Sequence, residues 1–155
     1  TTTYMNPLRT HQAIDEYVGN NEVTGTDTQV IGFDVSGNAI PVNNMRAMMV
    51  AVVGEDQAIA TGDGKRTFRQ AVGLDLRELE IFTPTQGSTA TTVDVVVNGT
   101  SILTAPISIA GGSSVASLTS FVSSSIPKGA TVRVDVDAAG TGALGLWVNF
   151  SGIAV

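Results

Sequence analysis

Valine alternates with charge in the second half of the chain. Val132, Val134 and Val136 sit two apart, separated by Arg133 and Asp135 and followed by Asp137. An extended backbone places such β-branched residues on one face and the charges on the other, so the spacing predicts a strand with all three charges in water. Val93, Val95 and Val97 repeat the pattern and run into Asn98-Gly99, the dipeptide best suited to the positive φ angles of a tight hairpin. A third run puts Leu144, Leu146, Val148 and Phe150 on one face and is reached through Gly140-Thr141-Gly142.

Upstream the pattern is less regular. Residues 47–53 are a continuous apolar run ended by Gly54, which reads as a strand covered on both faces. Residues 57–61 read as a second strand, then a turn at 62–64 and a polar strand at 66–70. Residues 74–76 and 79–82 are extended next, Leu79 and Ile81 facing one way and Glu78 and Glu80 the other. A polar loop at 84–92 precedes the Val93 strand. The serine-rich stretch 105–129 reads as a crossing between sheets or a carrier of short irregular strands. About eight strands at this turn spacing, ending in a meander, predict an all-β fold, a two-sheet antiparallel β-sandwich or jelly roll.

Residues 1–44 differ. Proline and glycine interrupt every period there, and only 10–18 could form a short helix, with Thr10 as its cap and Ile14 and Val18 one turn apart. The stretch is expected to be an extended N-terminal arm, with two short strands around Ser36-Gly37-Asn38, ahead of a sandwich domain over 45–155. An arm without a core of its own needs another surface on which to bury its apolar residues. The expected interface residues are therefore Met5, Leu8, Ile14, Val18, Val30, Phe33 and Ile40. Trp147 joins them because its neighbours Leu146 and Val148 point the other way.

Composition narrows the functional classes. Eight basic against 14 acidic residues give a net charge of −6, which repels nucleic-acid backbones and anionic membranes. The chain has no cysteine, so neither a disulfide framework nor a thiolate metal site is available. No apolar run is long enough to span a bilayer as a helix, and residues 1–5 lack a basic segment leading into an apolar one.

Candidate chemistry is sparse. His11 is the single histidine, it lies in the arm, and no G-x-S-x-G accompanies it, so it reads as a solvated or interface residue. Asp135 and Asp137 imitate the start of a calcium loop, but Ala139 replaces the next acidic ligand and Leu146 stands where the bidentate glutamate belongs. The stretch 62–65 resembles a phosphate loop only in its last residues, with Ile59 at the first glycine position and Arg66 at the hydroxyl position. Glu78 and Glu80 share a strand face, whereas a glycosidase pair must flank its bond from opposite sides. No catalytic residue, metal or cofactor is expected.

The runs 93–103, Ile126-Pro127-Lys128-Gly129 and 132–146 together resemble a jelly-roll module of tailed-bacteriophage virion proteins. There a V-D-V strand is followed by a turn and S-I-L, and later an I-x-K-G turn leads into alternating V-x-V-D. The likeness extends over residues 73–152. It implies a protein of the virion surface: a capsid cement or decoration protein, a head fibre, or a tail-associated receptor-binding module. Such proteins are commonly homotrimers, and the partner implied is the major capsid protein or another virion protein. A carbohydrate-binding module of a tail fibre, with a glycan as ligand, is the alternative.

Overall fold

The computed structural model describes residues 30–33, 39–42 and 45–155, and the chain divides into two units, Thr1–Asn44 and Met45–Val155. In the first unit β1 (Val30–Phe33) and β2 (Ala39–Val42) pair antiparallel, with Val30 opposite Val42 and Phe33 opposite Ala39. They are the two extended pieces expected on either side of the Ser36-Gly37-Asn38 turn. The helix expected at 10–18 lies outside the described residues.

The second unit is all β. Its strands are β3 (Met45–Ala58), β4 (Gly62–Arg69), β5 (Leu74–Phe82), β6 (Thr91–Val97), β7 (Thr100–Ser101), β8 (Ile107–Ile109), β9 (Val115–Leu118), β10 (Ser125–Ile126), β11 (Thr131–Ala138) and β12 (Leu144–Ala154). One sheet runs β10-β5-β12-β3, with β9 also on β5; the other runs β4-β11-β6-β7, with β8 also on β6. Every pairing is antiparallel. One set of pairings is nested, β3 with β12, β4 with β11, β5 with β9 and β10, β6 with β7 and β8, and the β5–β12 and β6–β11 pairings join these into the two sheets. The chain is thus doubled back on itself before being divided between two sheets, and the serine-rich stretch supplies β8 to one sheet and β9 and β10 to the other.

The expected stripes form the core between these sheets. Val93, Val95, Val132 and Val134 from one sheet are fully buried, as are Leu79, Ile81, Leu146, Val148 and Phe150 from the other. Phe68 of β4 meets Phe150 of β12 edge-on, with ring centroids 5.9 Å apart. At the end of β6 Asn98 and Gly99 take φ values of 50° and 89°, as the hairpin requires. Asn98 then ties the turn to β11: its amide donates to the Thr131 carbonyl and its Oδ1 accepts from the Thr131 amide.

Four expectations are corrected. The run 47–53 is not covered on both faces; it belongs to β3, at the edge of its sheet, where Met45 and Met49 are 57% and 66% exposed. Residues 57–61 are no separate strand, because β3 continues to Ala58, and β4 begins at Gly62, inside the expected turn. Residues 74–82 make one strand rather than two, with the register slipping at Arg77. Asp135 is not in water. It is 4% exposed and accepts hydrogen bonds from the Gly64 amide and from Arg133 Nε and Nη2. Alternation assigns a face, but the approach of β4 decides whether that face is wet.

Candidate functional site

The outer face of the β3-bearing sheet carries an apolar band that its register assembles. Residues opposite one another in antiparallel strands project to the same side. Val115 of β9 faces Phe82 of β5, Phe82 faces Trp147 of β12, and Trp147 faces Ala51 of β3. A row of four apolar residues therefore crosses the whole sheet. Val115 is 49% and Phe82 39% exposed, while Trp147 and Ala51 are half-buried.

A second apolar line meets this row at Ala51. Along β3 the outward residues are Ala51, Met49, Ala47 and Met45, with Ile153 of β12 opposite Met45. The two lines form an L, and within its angle lie Ser117, Glu80 and Asn149 in one register row and Glu78 and Ser151 in the next. Single exposed apolar residues need no explanation, whereas contiguous ones rimmed by polar groups mark association surfaces.

The other sheet presents the opposite character. The carboxylates of Asp63, Asp94 and Asp135 gather around Arg133, whose pKa is raised above the ordinary guanidinium value chiefly by its hydrogen bonds to Asp135. The Asp137 carboxyl, on an exposed residue, is also pushed up, first by partial desolvation and then by Asp94, Asp135 and Asp63. A carboxyl that holds its proton more tightly folded than unfolded loses stability as pH rises from the ordinary carboxylate value through the folded one. Asp137→Asn is accordingly expected to raise the melting temperature at pH 7, with the gain shrinking to nothing below pH of about 4. Melting curves of both proteins from pH 3 to 8 check this, and a constant offset across that range would contradict it.

Of the expected interface residues, Trp147 lies in the apolar row. Val30, Phe33 and Ile40 lie on β1 and β2, whose backbone alone is described, and Met5, Leu8, Ile14 and Val18 lie outside the described residues. Glu78 and Glu80 point outward on the same face of β5. Among the described residues no group of three or more His, Cys, Asp or Glu is placed to hold a metal ion, and no helix is long and apolar enough to cross a membrane. A cavity of about 460 Å³ opens between β8 and β9, lined by Thr104, Ser108, Ser117 and Ser120 with Ile107 and Leu118.

The sequence reading missed Phe82, Val115, Met45 and Met49. Phe82 was legible, since the alternation that turns Leu79 and Ile81 inward leaves it beside Glu78 and Glu80. Its meeting with Trp147 was not, because that depends on register between strands sixty-odd residues apart. Comparison with protein-family models, with curated proteins and with solved structures finds no match.

Proposed function

We propose that this chain is a structural protein of a tailed-bacteriophage particle, a cement or decoration protein that binds the head at seams between capsid subunits. It works by burying apolar surface, and no chemistry is required of it. The observation that carries the reading is the L-shaped apolar band on one outer face, opposite a face rich in carboxylates. A protein with one apolar side and one charged side lies flat on a larger surface, charged side to solvent.

The nested strand order supports a jelly roll, an architecture found in viral capsid and lectin domains, and the V-D-V, S-I-L and I-P-K-G runs point the same way. Fold alone does not assign function, so the test addresses binding. Purified protein is mixed with particles stripped of it and sedimented. The full chain is expected to travel with the particles. The double variant Phe82→Ser and Trp147→Ser should stay in the supernatant, while a chain lacking residues 1–42 should fold and also fail to bind, the arm being the second contact. Native-like sedimentation of the double variant would defeat the proposal.

A carbohydrate-binding module of a tail fibre is the second reading, and one observation favours it: Phe82 and Trp147 are opposite one another on an outer face, as in a platform for sugar rings. Trp147 is the single tryptophan, so quenching of its fluorescence by host surface polysaccharide decides between the two.

A further inference from the structure

At 14 residues β3 is the longest described strand, and among the described residues only β12 pairs with it. Its other edge offers a row of backbone donors and acceptors. Proteins usually guard such an edge with charge, proline or shortness. Residues 47–53, Ala-Met-Met-Val-Ala-Val-Val, contain neither charge nor proline. Charge stands only at the ends of the strand, with Arg46 near the start and Glu55 and Asp56 near the finish. A strand built this way is complementary to its own reverse.

We propose that β3 pairs antiparallel with β3 of a second copy across a two-fold axis, joining the two edge-exposed sheets into one. β3 slips twice against β12, once at Val52 and again between Val53 and Ala58, which face Leu146 and Leu144. Trp147 faces Ala51 and Leu146 faces Val53, so Val52 is the extra residue, and Val53 returns to the core side with Met48 and Val50. Two-fold pairing places residues of the same side opposite one another. With Val50 on the axis and Val52 bulged in both copies, Met49 meets Ala51 on the outer side and Met48 meets Val53 on the core side. The Arg46 end of each copy then lies against the Glu55 and Asp56 end of the other. Both ends of the seam are closed by opposite charges, and the middle is apolar throughout. Parallel in-register pairing would instead set Arg46 against Arg46, which costs rather than gains.

This pairing uses the strand edge and not the flat face, so it stands or falls separately from particle binding. Sedimentation equilibrium of the full-length protein at micromolar concentration is expected to give a dimer. Arg46→Glu and Glu55→Arg should each weaken it about tenfold or more, by facing acid with acid or base with base. The double reversal should recover to within about threefold of the native constant, since it restores both pairs. Arg46 and Glu55 are both exposed, and unchanged melting temperatures at concentrations where every variant is monomeric would show that folding is intact. A monomer or a trimer at every concentration overturns the proposal. So does a dimer indifferent to the single reversals, or a double reversal no tighter than either one.

Discussion

Truncating Phe150 to alanine is expected to destabilise the protein by about 3–5 kcal/mol, the range for a fully enclosed phenylalanine. The reason lies in where β12 runs. It is held between β5 and β3, and Phe150 stands opposite Leu79 on one side and Met48 on the other, with Phe68 reaching it from the facing sheet. The ring is 0% exposed, so removing it forfeits transfer energy and leaves a cavity whose walls are backbone-paired strands that cannot readily collapse. Against a total stability of about 5–15 kcal/mol for a domain of this kind, one substitution removes a large share. Urea unfolding should show the midpoint falling with little change in slope. Phe150→Leu, which keeps most of the volume, should cost about 1–1.5 kcal/mol. If alanine and leucine lower the midpoint equally, Phe150 is not the centre of the core.

That centre was legible in the sequence because a period of two needs no knowledge of neighbours. Val132 to Val136, Val93 to Val97 and Leu146 to Phe150 each declare an inner face, and Asn98-Gly99 declares the turn. What failed were inferences that depend on a partner far along the chain. Residues 47–53 announce apolar surroundings on both faces, but only Met48, Val50, Val52 and Val53 pack against the core, while Ala47 and Met49 stay exposed. Asp135 alternates as an exposed residue should, yet its carboxylate is held by the amide of Gly64, 71 positions away. The slip at Arg77 divided one strand into two in the sequence reading, because a bulge breaks the period without breaking the strand.

The candidate site divides along the same line. Trp147 could be placed outward from its neighbours alone. The band in which it lies draws one residue from each of four strands, and only the register between them makes Val115, Phe82, Trp147 and Ala51 a row. The composition of 47–53 is that of a doubly covered strand, yet among the described residues it stands at an edge, and the proposed seam rests on that difference.

Gly152→Ala is expected to destabilise by about 2–3 kcal/mol, the upper range for overfilling a tight contact, although alanine is the smallest possible change. Gly152 lies in β12 opposite Leu76 and beside the slip that admits Arg77 into β5. A β-carbon there would overlap the carbonyl of Asp75 and sit 2.9 Å from the Leu76 α-carbon, and both obstacles are backbone rather than the yielding tip of a side chain. The φ angle is not the difficulty, since Gly152 is not among the residues with positive φ. The crowding is relieved only by moving β5 and β12 apart where they carry Leu74 and Leu76 into the core. On its other side Gly152 faces Arg46, so the same displacement shifts the start of β3. Thermal unfolding should therefore drop by several degrees, while Ser151→Ala, one position away on the outer face, should change it little. In sedimentation the glycine variant should also dimerise more weakly than Ser151→Ala, because the Arg46 end of the proposed seam is displaced along with the strand. A stable Gly152→Ala protein would place the slip in β5 elsewhere and, with it, the alignment of the outer face.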